Sequence, residues 1–110
     1  MGKKFFRIDD RATLDNLISD SKQKTVLVFK HSNACGISAR AYREMEKLED
    51  RVNLLEVQAV PELSREVANL TGVRHETPQV ILLRDGKAVW NASHFDVSAD
   101  SVSRALESNA

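Results

Sequence analysis

Hydrophobic positions change their period several times along the chain, and each change marks an element. Phe5, Phe6 and Ile8 form a short strand candidate, and Asp10 is placed to cap a helix that carries Leu14, Leu17 and Ile18 on one face. Thr25 to His31 follows, with Val26, Leu27, Val28 and Phe29 uninterrupted by charge, as expected of a strand covered on both faces. After Ser32 and Asn33, two good cap residues, the period becomes helical: Ile37, Ala41, Met45 and Leu48 share one face, while Arg40, Arg43, Glu44 and Lys47 point elsewhere.

Val52, Leu54, Leu55 and Val57 predict a third strand. Pro61 then opens a helix with Leu63, Val67 and Leu70 inward and Gly72 as its stop. Two successive β-α units imply parallel pairing with right-handed crossovers. From Thr77 the pattern becomes that of a hairpin: Val80 to Leu83, the turn Arg84-Asp85-Gly86-Lys87, then Ala88 to Trp90, with Asp-Gly suited to a type I′ turn. Ser98 caps a last helix, with Val97 and Val102 placed as a hydrophobic staple and Val102, Ala105 and Leu106 facing the core. The order β-α-β-α-β-α-β-β-α predicts an α/β protein with the thioredoxin fold, a mixed sheet with helices on both faces. At 110 residues, with no repeat, low-complexity segment or linker, residues 1–110 read as one domain.

Charge narrows the function classes. The chain has 16 basic and 16 acidic side chains and no run of like charge, so it lacks the basic stripe of a nucleic-acid reader. Lys3, Lys4, Arg40, Arg43 and Lys47 read as solvated surface. Asp9, Asp10 and Arg11 end the first apolar stretch before a signal-peptide core could form, and no run is apolar enough to span a bilayer. Gly2 would suit myristoylation, but Phe6 stands where that motif wants Ser or Thr. The expected location is cytoplasmic, with no membrane partner.

The lone cysteine, Cys35, falls where the buried strand gives way to the helix. In a reducing compartment it has no internal partner, so any disulfide it makes is with another molecule. Exchange requires the thiolate, and lowering a thiol pKa from about 8.5 to about 7 takes ~2 kcal/mol. A helix dipole at an exposed end supplies only about 0.3–1 kcal/mol. Backbone N–H groups of Ile37 and Ser38 and the Ser38 hydroxyl are placed to supply the rest, and Gly36 lets a bulky disulfide approach the backbone. Position 38 is where a C-x-x-C protein keeps its resolving thiol. Here it is Ser38, so a mixed disulfide must wait for an outside thiol. The competing reading makes Cys35 a small buried hydrophobe.

His75-Glu76-Thr77-Pro78-Gln79 is the second constellation. Proline is tolerated at the first position of a strand. Together with Cys35, the motif suggests a cis Thr77-Pro78 bond beside the sulfur, with Thr77 backbone groups left to pair with an extended substrate. His31, four residues before Cys35, is either a thiolate-stabilising group or a structural histidine, and Trp90 and His94 are expected to cover the sheet edge. One cysteine and three dispersed histidines match no zinc spacing, so no metal site is expected.

Several segments together carry a resemblance: Lys30-His31-Ser32 leading to Cys35-Gly36-Ile37-Ser38, then Gly72-Val73-Arg74-His75-Glu76-Thr77-Pro78-Gln79, then Asp85-Gly86-Lys87-Ala88-Val89-Trp90 and Ser93-His94. The chain resembles the monothiol bacilliredoxin family, the YtxJ-like proteins of bacillithiol-using bacteria, from its first strand to its last helix. In that family the cysteine is usually preceded by threonine and followed by proline, where this chain has Ala34 and Gly36. The resemblance implies a thioredoxin fold, a cis Pro78 and removal of bacillithiol from S-bacillithiolated client proteins. Cys35 would attack the bacillithiol sulfur, and free bacillithiol or a reductase system would regenerate it. Bacillithiol is then a co-substrate, and no tightly bound cofactor is implied.

Two other classes compete. Cys35-Gly36-Ile37-Ser38 is close to the C-G-F-S motif of monothiol glutaredoxins, which hold an iron-sulfur cluster between two subunits. A redox-silent binding module of the same fold is the other.

Overall fold

The strands and helices alternate as the hydrophobic pattern predicts. In the computed structural model, which describes residues 4–34 and 36–110, they are β1 (Phe5–Arg7), α1 (Arg11–Asp20), β2 (Val26–His31), α2 (Gly36–Glu46) and β3 (Val52–Glu56). Then come α3 (Pro61–Thr71), β4 (Gln79–Arg84), β5 (Lys87–Ser93) and α4 (Ala99–Ser108). A 3-10 turn at His94–Asp96, which the pattern did not announce, links β5 to α4.

The strands lie in the order β1-β3-β2-β4-β5. β3 runs parallel to both β1 and β2, whereas β4 is antiparallel to β2 and to β5. The period-2 alternation of the inner strands sorts their side chains into two cores. Leu27, Phe29, Val80 and Leu82 face Ala41 and Met45 of α2 and Val102 and Ala105 of α4. Val26, Val28, Ile81 and Leu83 face Leu14 and Leu17 of α1 and Val67 of α3. Helices therefore cover both faces of a mixed sheet, and β2 is central and apolar on both sides.

Local signals behave as their chemistry dictates. Asp10 accepts the Thr13 N–H at 2.8 Å to cap α1, and Gly72 closes α3 at φ 72°, a left-handed position open to glycine. Asp85 and Gly86 both have positive φ, 56° and 74°, as a type I′ turn requires. Ser98 and Ser101 form a reciprocal capping box at α4, and Val97 and Val102 are both fully buried beside it.

One expectation is corrected. Leu70 is 44% exposed rather than inward, and Ser64 occupies the buried face of α3 with Val67. There a buried lysine donates to the Ser64 carbonyl and the Ser64 hydroxyl pairs with a histidine, and apolar spacing carries no sign of such polar partners.

Candidate functional site

Cys35 lies outside the described residues, as do Met1, Gly2 and Lys3. The candidate site is therefore built from the described residues on either side of it in the chain and from the β4 entrance. β2 delivers the chain to the edge of the sheet at His31, and α2 begins at Gly36, the residue after Cys35. The loop between is tied down from two sides. Asn33 donates to Glu56 at 2.6 Å at the end of β3, and the Ser32 N–H donates to the Ser38 hydroxyl of α2 at 3.2 Å.

The N-terminus of α2 is electrostatically open. Its first turn contains no acidic side chain, so no carboxylate of that turn offsets the positive end of the dipole. Ser38 is fully buried, and accepting from Ser32 leaves its own hydroxyl proton to be donated. A Cβ built at Gly36 would meet nothing within 4 Å, which makes this corner roomy.

His31 is half-buried, with its ring 5.6 Å from that of Phe29 and 5.1 Å from that of Tyr42. Burial pushes its pKa down, opposed by the charge of Glu56 and by a hydrogen bond that the ring donates to the Ser38 backbone. A histidine held this way is neutral at pH 7, so it acts as a hydrogen-bonding group rather than as a positive charge.

The other wall comes from β4. In the antiparallel β2-β4 ladder Lys30 stands opposite Gln79, so the end of β2 and the start of β4 meet at one edge of the sheet. This sets Pro78 beside His31, the last residue of β2, and the Thr77-Pro78 bond is cis. The Pro78 carbonyl accepts the His94 N–H at 2.8 Å. His94 thus opens the turn that braces the proline, and its Nδ1 lies 3.8 Å from Glu76. Trp90 does pack over the core on the α2-α4 face. Next to His94, Phe95 is 64% exposed, and the Arg40 guanidinium lies 5.7 Å from its ring centre.

The sequence reading missed a polar layer beneath this loop. Lys30 is fully buried and donates to the Ser64 carbonyl at 3.0 Å, with its Nζ 3.2 Å from His75 Nδ1. Gln79, also fully buried, donates to the Arg74 carbonyl at 2.9 Å, and Ser93 donates to Glu76 at 2.8 Å. The signal that could have found it was a lysine ending an apolar run and a glutamine directly after the proline.

Comparison with known proteins defines the class first. A solved candidate oxidoreductase with a thioredoxin fold superposes with a TM-score of 0.84 at 32% identity, covering 93% of each chain. A mutant thioredoxin from Halobacterium salinarum matches with a TM-score of 0.74 at 21% identity, covering 96% of this chain and 90% of its own. Fasciola hepatica thioredoxin gives a TM-score of 0.76 at 18% identity, covering 96% and 99%. The protein is a thioredoxin-fold thiol oxidoreductase. More narrowly, the family model for monothiol bacilliredoxin BrxC matches residues 6–102, and the chain belongs to that family.

Proposed function

We propose that this protein removes bacillithiol from mixed disulfides on client proteins through Cys35, in the cytoplasm. The observation that carries the reading is the β2-β4 register, which sets the cis Thr77-Pro78 bond beside the end of β2, the strand from which the chain runs to Cys35 and the acid-free first turn of α2. Family membership supports the thiol chemistry.

In the proposed reaction the Cys35 thiolate attacks the bacillithiol sulfur of the client mixed disulfide. The client-to-bacillithiol S–S bond breaks as the Cys35-to-bacillithiol bond forms, and the client sulfur leaves as a thiolate that takes up a proton. Amide N–H groups at the start of α2 hold the attacking anion, while the Thr77 backbone pairs with the extended client segment. Serine at position 38 cannot expel the adduct. A second thiol, either free bacillithiol or one from a reductase system, then attacks the adduct and returns Cys35 to the thiolate.

The test is intact mass after exposure to oxidised bacillithiol and, separately, to oxidised glutathione. An adduct on the wild type that disappears in Cys35→Ser supports the reading, and a larger yield with bacillithiol supports the assigned thiol. No adduct with either overturns it, and equal adducts overturn the bacillithiol assignment.

A further inference from the structure

Lys30 is a buried cation with no carboxylate partner among the described residues. Burial alone pulls its pKa to about 8, so near neutral pH it remains mostly an ammonium. An ammonium has protons to donate and no lone pair with which to accept. Its 3.2 Å approach to His75 Nδ1 therefore makes that nitrogen the acceptor, and Ser64 Oγ lies 3.1 Å from the same atom. Burial and then the charge of Lys30 hold His75 below the usual histidine range, with Glu76 opposing. A neutral imidazole that accepts at Nδ1 carries its proton at Nε2. The His75 side chain is otherwise exposed, two residues before Thr77.

We propose that Lys30 and Ser64 fix His75 as the Nε2–H tautomer, making it a hydrogen-bond donor at the mouth of the cis-proline loop that selects small thiols bearing a carboxylate. Lys30 is a positioning residue that acts through the imidazole. Its uncompensated charge lies behind the ring and favours an anion in front of it. The selectivity rests on the exchange chemistry proposed above, whereas the tautomer does not.

Two measurements test the proposal. In the first, imidazole 15N shifts at pH 7 should show His75 protonated at Nε2 and bare at Nδ1, with Lys30→Met giving mixed tautomers and a higher His75 pKa. A wild-type ring protonated at Nδ1 overturns the proposal, as does a Lys30→Met ring that behaves like the wild type.

In the second, one client peptide is presented as its mixed disulfide with mercaptoacetate or with 2-mercaptoethanol. The wild type should favour the carboxylate by about tenfold in kcat/KM, the worth of one charge-assisted hydrogen bond at ~1.4 kcal/mol. His75→Phe should bring the ratio close to one, and His75→Gln, which keeps a donor, should recover part of it. A wild-type ratio near one, or one that His75→Phe leaves intact, overturns the selectivity. If neither disulfide is exchanged, the chemistry and its selectivity both fail, and the 15N spectrum still decides the tautomer. Because His75 is exposed, its variants keep the test decisive even if Lys30→Met does not fold.

Discussion

Lys30 and Gln79 face each other across the β2-β4 ladder, both fully buried, at the point where the apolar sheet gives way to the cis-proline loop. Each makes a hydrogen bond to the segment that leads to Thr77. Lys30 contacts His75, Gln79 holds the Arg74 carbonyl, and Gln79 Oε1 has no hydrogen-bond partner among the described residues. Burying polar groups costs stability unless they are paired, so this layer exchanges core stability for a loop of fixed shape.

That exchange predicts a pH dependence. The folded-state pKa of Lys30 is lowered to about 8 from 10.5, so between these values the unfolded chain binds more protons than the folded one. The Lys30 contribution to stability therefore increases as pH rises through this window. It is lost again as pH falls through about 8. Urea unfolding of wild type and Lys30→Met from pH 7 to pH 10 should show the wild type gaining on the variant as pH rises. Parallel profiles would refute the assignment.

Gly36 leads to a second prediction. It is the first residue of α2, and a Cβ there meets nothing within 4 Å. Gly36→Ala should then stabilise the protein by ~0.4–1 kcal/mol through the unfolded chain's lost freedom, read as a raised urea midpoint with unchanged m-value. A lower midpoint would mean that this corner is more crowded than its geometry indicates.

The capping box of α4 gives a third. Ser98 Oγ accepts the Ser101 N–H at 3.0 Å while Ser101 Oγ accepts the Ser98 N–H at 3.2 Å. Ser98→Ala removes the first of these and should cost about 1 kcal/mol, lowering Tm by ~4 °C. Because Val102 and Ala105 still anchor the helix, calorimetry should show one cooperative transition.

These residues also show what a sequence can and cannot announce. Asp10, Gly72, Asp85-Gly86 and Ser98 act through their immediate neighbours in the chain, so their chemistry was legible without the fold. The same holds for β2, whose unbroken apolar run requires cover on both faces. Lys30, Ser64 and His75 meet only when β2, α3 and the cis-proline loop are assembled, and no spacing rule links positions 30, 64 and 75. Leu70 lies outward and Ser64 inward for the same reason: a hydrophobicity pattern registers apolar faces and is blind to a polar partner brought in by tertiary structure.

Ser38 is the position at which the one-thiol mechanism can be broken. It occupies the C-x-x-C resolving place, is fully buried in the first turn of α2, and accepts the Ser32 N–H. A thiol in place of that hydroxyl is close in size and only a weak acceptor, so Ser38→Cys should lose up to about 1 kcal/mol from the Ser32 contact. In exchange it supplies an attacking sulfur within the chain. Wild type treated with oxidised thiol should retain the adduct until a second thiol is added, whereas Ser38→Cys should expel it and close a disulfide between positions 35 and 38. Intact mass over time separates the two: a persistent adduct in the variant would mean that residues 35 and 38 cannot approach, and would remove the structural basis for reading position 38 as the resolving site.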